Sequence, residues 1–268
     1  MKLKLVKSFW GMDGSLEEKM RRIAEAGYAA VEGRVAGIED LARFQELRAE
    51  LGLDFVPMVL TEGEDHLADF RDKVEEAARF EPLQITAHCG RDHWTFDRKR
   101  AFFAEALEIE RRIGIPINHE THRGRALFSA QATAELLRAL PELWINADFS
   151  HFACVSESLL EDQPENMALC ISRARHVHGR VGHEEGPQVS DPRASEWAPQ
   201  LAAHEEWWDE IVRARSTAGA AVFTFNPEFG PPNYMPTLPH TRQPVSDLWE
   251  ICLWMAKRFE ARYSTLVP

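Results

Sequence analysis

One pattern organises this chain: a short apolar run followed by a longer amphipathic one, repeated eight times. KLKLVKSF reads as a strand and SLEEKMRRIAEAG as the helix after it, with Ser15 as N-cap, Glu18 completing a capping box and Gly27 closing the helix. YAAVEGR and IEDLARFQELRAELG form the second pair, ending at Gly52, and LDFVPMVL and HLADFRDKVEEAARF the third. LQITAHCG leads into TFDRKRAFFAEALEIERRIG, which stops at Gly114. IPINHE precedes SAQATAELLRAL, and LWINAD precedes a shorter helix near ENMALCISRA. RHVHGRV is followed by an insert, HEEGPQVSDPRASEWAP, before the helix HEEWWDEIVRARSTAG. AVFTFNPE and VSDLWEICLWMAKRFEARY complete the series. Alternation of this kind implies a parallel sheet covered by helices. Eight units in about 250 residues is the size of a closed (β/α)8 or TIM barrel, with an open doubly wound sheet as the alternative. No linker, low-complexity stretch or charge block divides residues 1–268, which read as a single domain.

Charge narrows the choice of partner. The formal net charge is −12, from 31 basic and 43 acidic residues. Such a surface repels phosphate backbones and anionic bilayers, so neither nucleic acid nor membrane is the expected partner. No run of 18 apolar residues suits a membrane span, and the start lacks the apolar stretch of a secretory signal. Cys89, Cys154, Cys170 and Cys252 are scattered and make no disulfide framework, which fits a cytoplasmic protein.

In a barrel, chemistry collects where the strands end. Four consecutive strands here turn polar in their last residues: Asn118-His119-Glu120, Asn146-Ala147-Asp148, His176-Val177-His178 and Asn226-Pro227-Glu228. One strand–helix unit separates Glu120 from Asp148 and Asp148 from His178. The insert accounts for the longer gap to Glu228. A single acid after a strand is usually a helix cap or a solvated loop residue. Four ligand-type residues in series are better explained by convergence on one point. Three carboxylates and an imidazole suit Mn²⁺, Mg²⁺ or Co²⁺, with Zn²⁺ also in range. His176 and His178 share a strand face; His178 is nearer the rim and is the expected ligand, with His176 a core histidine below it. His151 is expected in a rim loop. Arg180, and Arg123 and Arg125 beside Gly124, would hold an anionic or polyhydroxylated substrate. His88 and Glu32 end strands and would point into the pocket. Trp10 and Trp94 would offer an apolar face to a sugar ring or pack in the core.

These motifs in this order resemble the xylose isomerase-like barrels, which include sugar and sugar-phosphate isomerases and epimerases. The resemblance rests on Glu120 in INHETHRG, Asp148 and His151 in ADFSH, His178 in HVHGR and Glu228 in NPEFGP. It implies one divalent metal ion held by Glu120, Asp148, His178 and Glu228, with His151 beside the substrate. It further implies proton transfer by Glu120 and Glu228 on a small carbohydrate through a metal-stabilised enediolate, with a metal-assisted hydride shift as the other route. Homo-oligomers are common in the family. Other metal-dependent chemistry on the same barrel (lyase, dehydratase or hydrolase) and a non-catalytic sugar-binding relative are the alternatives. The endonuclease members use three zinc ions and further ligands, of which the sequence offers no clear second set.

Overall fold

The computed structural model describes residues 1–267. Strands β1 (Lys2–Ser8), β2 (Ala30–Gly33), β3 (Asp54–Leu60), β4 (Ile85–His88), β5 (Ile117–Glu120), β6 (Ile145–Ala147), β7 (Ala174–His178) and β8 (Val222–Asn226) pair in parallel, each with the next. β8 closes on β1, with Lys2 opposite Val222 and Leu5 opposite Phe225. The result is a closed single-domain (β/α)8 barrel.

Around it stand α1 (Leu16–Glu25), α2 (Leu41–Leu51), α3 (His66–Ala78), α4 (Phe96–Ile113), α5 (Ala130–Ala139), α6 (Ser150–Ser156), α7 (Pro164–Ser172), α8 (Ala198–Thr217) and α9 (Leu248–Leu266). The capping box on α1 forms as expected, Ser15 and Glu18 each bonding the other's backbone N–H. Gly52 and Gly114 end α2 and α4 with φ of 65° and 70°, a left-handed turn that costs glycine little. Three expectations need correction. α2 begins at Leu41 rather than Ile38, because the Asp40 carboxylate accepts from Arg43 N at 2.9 Å and caps it there. α8 begins at Ala198, before His204, with Pro199 in its first turn, where a missing N–H costs nothing. Between β6 and β7 there are two helices instead of one, and the additional α6 carries His151.

The period of two along each strand divides the molecule. Outward residues make the main core with the helices: Phe55 meets Phe44 at 4.9 Å, Phe225 stacks on Phe259 at 3.7 Å, and Trp208 meets Phe225 at 5.3 Å. Trp207 and Trp208 are both buried, as a helix clasping the barrel requires. Inward residues are unusually polar. Glu32, Thr86, Asn118, Glu120, Asn146, His176, His178, Thr224 and Asn226 are all buried. Among the described residues, Val6, Ala30 and Val56 on β1 to β3 form a small apolar cluster separate from the main core. Low in the barrel, Gln84 Nε2 donates to Thr224 Oγ1 at 3.0 Å, and His176 Nδ1 pairs with the same hydroxyl at 2.8 Å. His176 is thus a core histidine tied down through Nδ1, while its buried Nε2 makes no hydrogen bond and lies 3.8 Å from Glu32 Oε2. No helix among the described residues is long and apolar enough to cross a membrane.

His204 pins the long insert to α8. Its Nδ1–H donates to Gln200 O at 2.8 Å, and its Nε2 accepts from Gly182 N at 3.2 Å, so the ring must be neutral. Burial pulls its pKa down to about 4. The unfolded chain therefore takes up this proton first, and the stability His204 supplies is complete above pH 6.5 and falls as the pH drops towards 4. Between pH 7 and 4.5 the loss from this one group is on the order of 2 kcal/mol. Denaturant titrations at the two pH values should show His204→Gln, which keeps an acceptor for Gly182, losing less stability than wild type by roughly that amount. Identical losses would show that His204 is not held neutral.

Candidate metal centre at the barrel mouth

Barrel stagger brings the four strand-end donors to one point. Ala147 pairs with Val177, which sets Asp148 level with His178; Asn226 pairs with His178, and Glu228 follows two residues on. Glu120 pairs with Asn146. One donor atom from each of Glu120, Asp148, His178 and Glu228 lies within 4.8 Å of all the others, and all four residues are buried. His178 Nδ1 is 3.2 Å from Glu120 Oε2 and 3.1 Å from Glu228 Oε2.

The surrounding groups orient these donors. His178 Nε2 lies 2.9 Å from Glu32 Oε2, which also accepts from Asn226 Nδ2 at 2.6 Å. With Nε2–H donated to Glu32, His178 presents the Nδ1 lone pair to the cluster. A carboxylate behind a histidine ligand fixes the tautomer in this way. Asn146 Nδ2 donates to Glu120 Oε2 at 3.3 Å, and His88 Nε2 contacts the same oxygen. Ser150 N and Oγ both donate to Asp148 Oδ1. Thr121 Oγ1 accepts from Asp148 N and donates to Asp148 O, each at 2.9 Å, so the backbone that carries this carboxylate is tied to β5.

The electrostatics call for a cation. Glu32, Glu120, Asp148 and Glu228 are four buried carboxylates, and the fixed positive charge among them is Arg180, itself buried. Burial raises the Asp148 pKa to about 6; the attraction of Arg180 does not outweigh the desolvation and the repulsion from Glu120 and Glu228. Burial alone would lower the His178 pKa, but Glu228, Glu32 and Glu120 together hold it well above the ordinary imidazole value. Buried charge in this excess must be paired or coordinated to metal. Glu120 Oε1 and His178 Nδ1 are buried without hydrogen-bond partners, as expected of donors shaped for an ion. The residues therefore fit a divalent cation.

Other expected site residues have varied positions. His88 lines the mouth beside Glu120. Arg180 is committed to the cluster: its Nη2 donates to Asp148 Oδ2 at 2.8 Å and to Glu228 Oε2 at 2.6 Å, while its guanidinium lies 4.5 Å from the Tyr234 ring. His151 is not in a rim loop. It is wholly buried on α6, with Nε2 3.7 Å from Asp148 Oδ2 and its ring 3.9 Å from that of His122. Burial, with the charges of His122 and Arg180, holds its pKa well below the usual range, so it stays neutral. Arg123 leans over Tyr234 at 5.1 Å and does not line the cavity, whereas Arg125 does. Trp10 lines the cavity too; Trp94 packs on His66 and Phe102 in the core.

Two residues were missed. His122 lies two positions past Glu120, a spacing that could have suggested it, and Tyr234 sits in the loop after β8 with no sequence signal at all. Tyr234 OH lies 3.3 Å from His122 Nε2, and His122 Nδ1 pairs with Arg123 O at 2.6 Å. The structure also corrects the expectation of a single donor set. His88, Glu120 and His122 form a second group within 4.8 Å, and Glu32, His176 and His178 a third. His122 and His176 are already hydrogen-bonded within the protein, so these groups serve best to position Glu120 and His178.

The mouth opens into a cavity of about 520 Å³. Closed barrels with this architecture recur among solved structures. A D-tagatose 3-epimerase-like protein superposes with a TM-score of 0.60 at 16% identity, covering 98% of each chain. The probable 3-DHS dehydratase AsbF of Bacillus anthracis gives 0.60 at 14% identity, over 96% of this chain and 98% of that one. A family 2 AP endonuclease from Brucella melitensis gives 0.60 at 15%, again over 96% and 98%. At such identities the likeness shows the fold alone. A search of curated protein sequences returns no match. The family model for the xylose isomerase-like TIM barrel matches residues 20–186, more than half of the chain. With the closed barrel of eight parallel strands, that match places this chain in the xylose isomerase-like TIM barrel family.

Proposed function

We propose that this protein is a divalent-metal-dependent isomerase or epimerase acting on a sugar, a sugar phosphate or a related polyhydroxy carbonyl compound. The observation that carries this reading is the convergence of Glu120, Asp148, His178 and Glu228 within 4.8 Å at the floor of a cavity large enough for such a molecule. These four residues would hold the ion, Mn²⁺, Mg²⁺ or Co²⁺ suiting the donor set best and Zn²⁺ also acceptable. When bound, the ion supplies Lewis acidity that stabilises negative charge on a carbonyl oxygen and acidifies the neighbouring carbon.

The chain's own groups do the rest. Glu120 and Glu228 come from β5 and β8 and both line the cavity, so they can address one substrate carbon from two sides. Burial raises the pKa of each, but His88 and His178 bring Glu120 well below the usual carboxylate range, and His178 and Arg180 lower Glu228. Both carboxylates are therefore ionised and able to accept a proton. Glu120 Oε1 has no partner and is free to do so, while Oε2 is held by Asn146 and His88. Arg180 keeps the Glu228 carboxylate in place. Trp10 offers an apolar face at the mouth. The partner is a small molecule; a net charge of −12 disfavours nucleic acid.

Metal analysis tests the site. A metal-replete preparation should hold about one equivalent per chain, and Asp148→Asn should lose most of it, since an amide is a poorer ligand than a carboxylate. Glu32→Gln should retain the ion but bind it about 10–100-fold more weakly, the usual cost of losing a carboxylate behind a ligating histidine. Full retention by a Glu120/Asp148 double variant would refute the assignment.

Isotope exchange tests the chemistry. An active substrate in D₂O should take up deuterium at the carbon beside the carbonyl. Glu120→Gln and Glu228→Gln should lose about 10²–10⁴-fold in turnover, the normal scale for general acid–base groups. Both are proposed ligands, so metal content must be matched across samples before rates are compared. Full activity in metal-loaded Glu228→Gln would reject the two-glutamate scheme. Turnover with no exchange would favour a shielded proton transfer or a hydride shift, and loss of water from the substrate would favour a dehydratase.

A further inference from the structure

The cavity above the metal cluster is not electrostatically like the rest of the molecule. Acids outnumber bases 43 to 31 in the chain. Yet among the described residues the acids that line the cavity are Glu120 and Glu228, both in the ligand cluster. The remaining charged lining consists of Lys19 on α1, Arg34 just after β2, Arg125 in the loop after β5, and Arg180. Arg180 is taken up by Asp148 and Glu228. Lys19, Arg34 and Arg125 make no ion pair among the described residues. On the outer surface nearby, Arg21 on α1 pairs with Glu17 and Glu50, and Arg43 on α2 with Glu17 and Glu46.

Arg125 is the most telling of the three. It is half-buried, and its Nη1 donates to Thr61 O at 2.8 Å, which fixes the guanidinium beside the cavity. Burial and the nearby Arg91 both work against its charge. A cation held in such a place without a counter-ion costs stability unless something binds it. The same cavity is also lined by the apolar side chains of Phe9, Trp10, Met58 and Leu60.

We propose that the substrate is an acid whose carboxylate or phosphate group is held by Lys19, Arg34 and Arg125 while its carbonyl end faces Glu120 and Glu228. This rests on the reading of the pocket as a site for a polyhydroxy carbonyl compound, and it narrows that class to its anionic members. Arginine forks grip either group bidentately, so the chemistry they recognise is shared by sugar acids and sugar phosphates. The cations also draw an anionic substrate towards a protein whose overall charge would repel it.

Three ketohexoses that differ only at C6 provide the test: D-fructose, D-fructuronate and D-fructose 6-phosphate. Calorimetric titration into Mn²⁺-loaded protein should give at least one of the acids a Kd about tenfold or more below that of fructose. The preference should shrink as KCl is raised. Whichever acid wins distinguishes carboxylate from phosphate recognition. The Arg34→Gln/Arg125→Gln double variant should bring the favoured acid down to the affinity of fructose. Lys19→Gln/Arg34→Gln, which alters only side chains outside the buried core, guards against misfolding and should lose most of the preference. Equal affinity for all three sugars, or no binding of either acid at about 10 mM, well above the usual KM range, overturns the proposal. Metal content and deuterium uptake measured on the same samples separate the two readings. An acid that binds at the cations without exchange leaves this inference standing and removes the proton-transfer scheme. Exchange on fructose with no preference for an acid does the reverse.

Discussion

The mouth of the barrel is governed by the contact of His178 with three carboxylates. Its Nε2 faces Glu32 at 2.9 Å, and its Nδ1 lies between Glu120 and Glu228 at 3.2 and 3.1 Å. An imidazole in that setting has two ways to satisfy its neighbours. It can carry a second proton, which is why the acids hold its pKa high, or it can lose the Nδ1 proton to solvent and offer the freed lone pair to a divalent cation. Arg180 acts in parallel on Asp148 and Glu228. Metal affinity in this protein should therefore be tied to proton release, and the interior cannot be electrically settled by side chains alone.

Such a cluster is tolerable because the barrel keeps its stabilising core elsewhere. Alternation along the strands sends Phe55, Ile85, Ile117, Ile145, Phe223 and Phe225 outward into the helix layer, where they are fully buried. Each apolar side chain buried there contributes roughly 1.5–3 kcal/mol. The lumen is left to Glu32, Thr86, Asn118, Asn146, His176 and Thr224. Hydrogen bonds such as Gln84 to Thr224 and Asn226 to Glu32 link strands across the lumen and hold the donors in register. Polar groups at this depth are costly when unmatched, so the lower network is a condition for the geometry above it.

The sequence displays the parts of this arrangement that repeat. Eight strand–helix units, and polar residues at the ends of four successive strands, are periodic signals, and they locate Glu120, Asp148, His178 and Glu228 without reference to any contact. What it conceals depends on single contacts or short elements. α6 has seven residues, SHFACVS, too few for an amphipathic period to emerge, so His151 reads as a loop residue although it is buried. Arg180 lies two residues past His178 and so shares its direction, but only the fold shows that its guanidinium is spent on two acids. Tyr234 lies in an irregular loop and reaches His122 through tertiary structure alone. Glu32 lies one residue before the end of β2; its role behind His178 depends on strands that are far apart in the chain.

The same distinction separates the strand-end donors from the cations around the cavity. Donors at strand ends are set by the backbone, whose stagger fixes their height whatever the loops do. Lys19, Arg34 and Arg125 belong to a helix, a strand exit and a loop, and their common feature is the cavity they face. Elsewhere some arginines have acidic partners, as Arg258 has Glu205 and Arg262 has Asp209. Leaving three cations unmatched around one cavity sacrifices interactions worth up to about 1 kcal/mol each at exposed positions and more where Arg125 is half-buried. The candidate metal ligands thus sit at the ends of rigid strands, and the unmatched cations on the helix, strand exit and loop around them.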